Sequence, residues 1–127
     1  MTASSSATFE IQAWDEQPFD EAVGVSKLTR ATVTKRYVGE VEGSSVTEWL
    51  MAYHPDKSAA FVGLERIRGN IGGRHGSLVL QHVGTFADGV ARAALTVVSG
   101  TDELKGAQGG GELVADPGGR ITLDIDE

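Results

Sequence analysis

The stretch GSLVLQHVGTFADGVARAALTVVS, residues 76–99, decides the fold. Apolar and polar residues alternate on both sides of Asp88-Gly89, a dipeptide typical of a two-residue β-hairpin turn. One face of this hairpin is almost wholly apolar, and His82 is its only ionisable side chain. We therefore expect that face to lie in the interior. A hairpin closed on this turn pairs Ala87 with Val90, His82 with Leu95, Leu80 with Val97 and Leu78 with Ser99.

Composition indicates one β-rich domain. The chain has 127 residues, which suffices for a single core, and it contains 17 glycines, nearly twice the usual fraction of about 7%. Glycine excess combined with alternation is typical of sheets with many turns and bulges. The chain has no cysteine, which rules out disulfides and favours a reducing, cytoplasmic location.

Charge and hydropathy exclude several partners. The net charge of −7 argues against nucleic acid, because phosphate binding needs a basic surface. No apolar run approaches the roughly 20 residues of a membrane-spanning helix. Residues 1–7, MTASSSA, have neither the basic nor the apolar part of a signal peptide, so we expect a flexible N-terminal arm followed by one domain over residues 8–127.

The rest of the chain divides into further strands separated by turn residues. We predict a strand over 8–14, a loop over 15–23, strands over 25–41, 46–53 and 59–68, the hairpin, a glycine-loaded strand over 104–116 and a last strand over 120–127. The predicted turns are at Gly43-Ser44, residues 54–56, 69–76 and 100–103, and Pro117–Gly119. About eight strands with short connections predict an all-β fold, a closed or nearly closed antiparallel barrel.

Several motifs resemble a family of small bacterial proteins, domain-of-unknown-function family 3224. They are FVGLERIRG (61–69), GGRHGS (72–77), LQHVGTF (80–86), VVSGT (97–101) and LKG (104–106). The resemblance covers residues 8–124 and implies an eight-stranded barrel similar to plant allene oxide cyclase. Those enzymes bind an unstable fatty-acid epoxide in an apolar barrel and cyclise it. The resemblance implies the barrel fold and does not assign catalytic residues. One segment departs from the family's pattern: Ser99-Gly100-Thr101 is shorter than the usual Gly-Ser-Gly-Thr.

His82 and Glu65 are the residues that could carry chemistry. His82 is either a polar anchor or acid–base group in an apolar cavity, or a buried histidine with a structural partner. Glu65 shares a strand face with Phe61 and Ile67, so it is either a costly interior carboxylate or, on the opposite assignment, a solvated one. A turn near residues 71–72 would put Phe61 opposite His82 and separate Glu65 from His82 by about 13 Å at strand rise.

Other side chains fit a binding or a structural role. Met51, with Trp49 and Tyr53, forms a stripe suited to a cavity wall, core packing or an oligomer contact. Arg66 and Arg68 could bind a carboxylate or pair with surface acids. The glycine-rich segments lack the lysine and following helix of a phosphate loop, and the three histidines lack metal-ligand spacing, so we expect neither a metal nor a cofactor.

Three functions remain open from the sequence. The first is a barrel that binds a small apolar or amphipathic molecule, the second an isomerase or cyclase that restrains its substrate, and the third a packed oligomeric module without ligand. A homo-oligomer is expected because Val79, Val83 and Val98 face outward. The predicted cavity residues are Phe61, Glu65, Leu78, Leu80, His82, Leu95 and Val97.

Overall fold

The computed structural model describes residues 2–22, 24–116 and 118–126. Over these residues the chain forms eight strands and one short 3-10 helix, Asp102–Leu104. The strands are β1 (Thr2–Asp20), β2 (Lys27–Gly39), β3 (Val41–Tyr53), β4 (Ala59–Ile71), β5 (Arg74–Ala87), β6 (Val90–Gly100), β7 (Gly109–Ala115) and β8 (Gly119–Asp126).

The strands close into one antiparallel barrel in chain order. Each strand pairs with the next, and β8 returns to pair with β1. Among the described residues each strand pairs with two neighbours along part or all of its length, and residues 10–20 of β1 pair with β2 only. The predicted all-β barrel is thus confirmed. No helix among the described residues is long and apolar enough to cross a membrane.

The hairpin that decides the fold has the predicted register over most of its length. Ala87 pairs with Val90, His82 with Leu95 and Leu80 with Val97. The register then shifts by one residue between Val79 and Leu80, so Leu78 pairs with Gly100 rather than with the predicted Ser99. A bulge of this kind cannot be read from alternation, because both sides of it alternate normally.

The N-terminal segment differs from the prediction at both of its ends. Residues 2–7, expected in a flexible arm, belong to β1 and pair with β8 from Thr2↔Asp126 onward. The strand also continues to Asp20, through the predicted loop, where Pro18 pairs with Thr29. Pairing with β8 closes the barrel and orders the N-terminal end of β1, whereas the C-terminal end of β1 is ordered by its pairing with β2.

Two turns are displaced from their predicted positions, the β2–β3 turn by several residues and the β4–β5 turn by one. The β2–β3 turn is centred on Glu40 and not on Gly43-Ser44, which are paired residues of β3. The β4–β5 turn is formed by Gly72-Gly73, whose φ angles are +59° and +83°. Positive φ at two successive residues is what a two-residue hairpin turn requires, and glycine adopts it without strain.

The two ends of the barrel differ. At one end the predicted β7 over residues 104–116 begins only at Gly109, because residues 102–104 form the 3-10 helix and bury Leu104 completely in the core cluster. At the other end the turns leave aromatic side chains around an opening. The predicted turn at Pro117–Gly119 is at this open end, but Pro117 lies outside the described residues.

Candidate functional site

A buried polar cluster occupies the centre of the barrel, with the Glu65 carboxylate as its hub. Glu65 Oε2 accepts hydrogen bonds from Tyr37 OH at 2.7 Å, Ser45 Oγ at 2.6 Å and Lys35 Nζ at 3.4 Å. Its Oε1 lies 2.8 Å from His82 Nε2. All five residues are buried, and Glu65 itself is 1% exposed. The inward assignment of Glu65 is therefore the correct one.

The charges of this cluster compensate one another. Burial by itself would raise the pKa of Glu65, but the Lys35 charge and the hydrogen bonds from His82 and Ser45 outweigh burial and lower that pKa to about 2. Burial lowers the pKa of Lys35, and the Glu65 charge opposes that shift. Burial and the Glu65 charge together raise the pKa of Tyr37 well above 10, so Tyr37 stays a neutral donor.

The Lys35 ammonium is enclosed by aromatic rings as well as by the carboxylate. Its Nζ lies 4.9 Å from the ring centroid of Phe9 and 4.9 Å from that of Trp49. Ring faces carry negative potential and attract a cation, most strongly when water is excluded. Lys35 is 1% exposed, so the two rings and Glu65 replace its water shell.

The hydrogen bonds of His82 fix its tautomer. Trp49 Nε1 donates to His82 Nδ1 at 3.2 Å, and an indole nitrogen can only donate. Nδ1 must therefore be unprotonated, which places the proton of a neutral imidazole on Nε2, from where it is donated to Glu65. Burial lowers the pKa of His82 below 6.5, which agrees with a neutral ring.

An apolar cavity of about 270 Å³ opens at the aromatic end of the barrel, above this cluster. Its wall is formed by side chains of six strands and by one turn glycine. The aromatic members are Phe9, Trp14, Trp49, Phe61 and Phe86, and the others are Ile11, Met51, Gly89, Ala91, Leu113 and Ala115. Trp49 and Met51 of the predicted stripe thus line a cavity, whereas the Tyr53 hydroxyl donates a hydrogen bond to Glu16.

Glycines explain why the rings line the wall and do not fill the cavity. Trp49 pairs with Gly63 across β3 and β4, and Phe61 pairs with Gly84 across β4 and β5. A Cβ on Gly63 would lie 2.7 Å from the Trp49 ring, and one on Gly84 would lie 2.5 Å from the Phe61 ring. Each ring lies over the bare backbone of its glycine partner, which keeps the centre of the mouth open.

A bulge in β1 places two further residues at the mouth. The register shifts between Ile11 and Ala13, so that Trp14 and Glu16 take the inward positions opposite Val33 and Ala31. Trp14 Nε1 donates to Glu16 Oε1 at 2.9 Å, and Tyr53 OH donates to Glu16 Oε2 at 2.6 Å. Glu16 therefore forms a polar rim beside an apolar cavity.

The structure separates the predicted site residues into two groups. Phe61 lines the cavity, while Glu65 and His82 meet in the cluster beneath it. The remaining predicted residues lie in the core or against it: Leu78, Leu80 and Leu95 are buried, and Val97 is partly buried.

Glu65 contacts His82 because the β4–β5 register differs from the one predicted. Gly63 pairs with His82, and Glu65 pairs with Leu80, so the two polar residues are two positions apart and not four. Phe61, predicted opposite His82, pairs with Gly84. Since the change is an even number of residues, every side chain keeps its predicted face.

Sequence reasoning missed Lys35, Tyr37 and Ser45. Lys35 lies in the strand predicted over residues 25–41 and alternates in phase with Ala31 and Val33, both fully buried. That phase is the signal that marks an inward cation. An inward Lys35 and an inward Glu65 then predict each other, since neither is tolerated alone.

The outer wall is partly apolar. Val83 and Val98 are 54% and 56% exposed, and Val79 is partly buried. A groove of about 720 Å³ runs along the outside of β3 and β4, where Arg66 and Arg68 border Leu50, Val62 and Leu64. The predicted homo-oligomer stays a prediction.

No group of three His, Cys, Asp or Glu side chains that could hold a metal occurs within residues 2–22, 24–116 and 118–126. In the polar cluster, the Glu65 carboxylate is instead bonded by the four side-chain donors around it. One buried hydroxyl, Thr47 Oγ1, has no hydrogen-bond partner among the described residues.

The fold and the site define a class: a small closed antiparallel barrel with a polar centre and one open apolar end. The chain belongs to the family described as protein of unknown function, DUF3224, which it matches over residues 5–126. It is similar to the crystal structure of a DUF3224 protein of unknown function from Shewanella oneidensis MR-1. The two are 30% identical with a TM-score of 0.81, over 99% of this chain and 98% of that one. No curated protein matches the sequence.

Proposed function

We propose that this protein binds a small apolar or amphipathic molecule in the cavity at the open end of the barrel. The observation that carries the proposal is the cavity itself: about 270 Å³ of space lined almost entirely by aromatic and aliphatic side chains. A concave apolar site with polar groups at its edge is the usual form of a small-molecule site. A packed core would fill this space with side chains, whereas here five aromatic rings surround an open cavity.

The lining indicates the chemistry of the ligand. The described residues that line the cavity include no charged side chain, so the part of the ligand inside it is apolar. Glu16 and Tyr53 lie at the rim, where a hydroxyl, amide or amine of the ligand could bond. We therefore expect an uncharged ligand body of a few carbon units or of one or two ring systems, with at most one polar end.

Binding is favoured over an isomerase or cyclase reaction by where Glu65 and His82 lie. Neither residue lines the cavity, both are fully buried, and the Glu65 carboxylate already accepts from four donors. A reacting substrate would have to pass Trp49 to reach them. The proposal includes a resemblance to allene oxide cyclase barrels, which is supported by the closed eight-stranded barrel. It also includes a cytoplasmic location, which is supported by the lack of cysteine.

The test fills the cavity and leaves the wall intact. Ala91 of β6 lines the cavity, while Ala94 on the same strand is exposed on the outer face. We expect Ala91→Trp to weaken binding of the uncharged fluorophore N-phenyl-1-naphthylamine at least tenfold, and Ala94→Trp to leave it unchanged. The measurement is fluorescence enhancement on titration of the purified protein. Equal binding by both variants, or none by the wild type, would overturn the proposal.

The natural ligand can be sought in protein purified from its own host. Organic extraction followed by mass spectrometry would reveal a co-purifying apolar compound. Ala91→Trp, purified in parallel, is the control, because a compound held in the cavity should be absent from it and present in Ala94→Trp.

A further inference from the structure

We propose that the proton on His82 sets the position of Trp49 and thereby makes ligand binding in the mouth cavity pH-dependent. The inference rests on the proposed function for its effect on a ligand. The movement of Trp49 itself can be observed in the empty protein. The neutral imidazole holds the indole in place, and the imidazolium cannot.

The geometry leaves one proton state in which both hydrogen bonds of His82 exist. Trp49 Nε1 donates to Nδ1 and Nε2 donates to Glu65 Oε1, at 3.2 Å and 2.8 Å. A protonated imidazole carries a proton on both nitrogens. The Trp49 N–H would then face the N–H of Nδ1, and a donor facing a donor inside a buried site is repulsive. Protonation therefore costs the Trp49 bond.

The charged neighbours of His82 come from two strands. Glu65 on β4 favours the imidazolium, and Lys35 on β2 opposes it; Tyr37 reaches the cluster only as a neutral donor to Glu65. On β6 the paired residue is Leu95, which does not titrate. Burial adds to the effect of Lys35, so the proton enters below the usual range of histidine. The group is therefore neutral at pH 7.

Trp49 transmits this change to the cavity because its ring is part of the cavity wall. Its centroid lies 5.6 Å from that of Trp14 and 5.2 Å from that of Phe61, the two rings on either side of it. A ligand that packs on these rings as they stand binds the neutral state better. By reciprocity the ligand must lower the pKa of His82.

The first experiment follows the Trp49 indole in the empty protein. The chain has two tryptophans, so Trp14→Phe leaves a single indole N–H signal in a ¹⁵N spectrum. We expect that signal to move along a one-proton titration curve with its midpoint below pH 6.5. In Trp14→Phe/His82→Gln the signal should stay fixed, because the Gln amide offers the same acceptor and donor without a titrating proton. A Trp49 signal that is constant from pH 7.5 to 4.5 in Trp14→Phe would overturn the inference.

The second experiment measures N-phenyl-1-naphthylamine affinity at pH 7.5 and pH 5 with wild-type Trp14 in place. We expect about tenfold weaker binding at pH 5, the scale of one lost hydrogen bond, and no such loss in His82→Gln. Absent binding at pH 7.5 contradicts the proposed function and leaves the indole titration to decide on the Trp49 switch. Binding that is tight and equal at both pH values contradicts the switch and leaves the proposed function standing.

Discussion

Glu48 and Glu65 lie on neighbouring strands of one wall of the barrel, in opposite environments. Glu48 on β3 pairs with Leu64, the residue before Glu65 on β4. Glu48 points outward and accepts from Arg30 at 2.9 Å and 3.0 Å and from Thr32 at 3.1 Å. Glu65 points inward and accepts from a lysine, a tyrosine, a serine and a histidine.

The comparison shows how strand alternation decides what a carboxylate does. On the outer wall, water solvates Glu48 with or without Arg30. The hydrogen bond from Arg30 lowers the pKa of Glu48 but contributes little to the stability of the fold. Inside, no water competes, so every oxygen of Glu65 must be satisfied by the protein. The inner carboxylate therefore specifies the positions of four strands, while the outer one specifies none.

The largest expected difference between these two carboxylates appears on neutralising each. Glu65→Gln keeps the size of the side chain but leaves Lys35 buried without a counter-charge, which should lower the free energy of unfolding by about 3–5 kcal/mol. Glu48→Gln, the matched outer change, should have little measurable effect. Urea denaturation followed by circular dichroism gives both values. Equal losses would mean that the buried pair does not hold the barrel together.

The architecture could be predicted because it follows from alternation and from one strong turn. Asp88-Gly89 sets the β5–β6 register, and the inward face of β5 is the apolar face of the sequence. The site could not be predicted as well, since it depends on register between other strands. Residues 69–76 contain several glycines, each able to take positive φ, so the turn could be centred at more than one place.

The turn lies one residue from its predicted position, which changes the β4–β5 register by two residues and decides whether Glu65 meets His82. A turn at Gly72-Gly73 brings Glu65 within reach of His82, whereas the predicted turn separates them. The position and most of the lining of the cavity differ from the prediction for another reason. It depends on the β1 bulge that aims Trp14 inward and on rings lying over glycines of the next strand, and neither feature leaves a mark in the alternation of a single strand.

Acid should weaken the inner carboxylate's contribution in a defined window. The folded pKa of Glu65 is lowered from 4.5 to about 2, so the folded state binds fewer protons than the unfolded state between these values. The stability that Glu65 contributes is complete above pH 4.5 and is lost as the pH falls toward 2. His82, whose folded pKa is also lowered, adds a loss that begins higher, below pH 6.5.

Denaturation series from pH 7 to pH 2.5 measure this loss. Below pH 4.5 the slope of stability against pH should be markedly smaller in Glu65→Gln than in the wild type. Glu48→Gln is the control and should keep most of the wild-type slope. An unchanged slope in Glu65→Gln would show that other carboxyl groups cause the acid sensitivity.

The smallest expected difference concerns the hydroxyl donors of the two carboxylates. Ser45 Oγ donates to Glu65 at 2.6 Å inside the barrel, and Thr32 Oγ1 donates to Glu48 at 3.1 Å on the outer wall. Ser45→Ala removes one of four donors from a carboxylate that water does not reach, so we expect a loss of about 1.5 kcal/mol. Thr32→Ala removes a donor that water can replace, and it should leave the unfolding free energy nearly unchanged. If Thr32→Ala cost as much as Ser45→Ala in the same urea titration, burial would not be what distinguishes the two carboxylates, and their difference would have to come from the partners Lys35 and Arg30 alone.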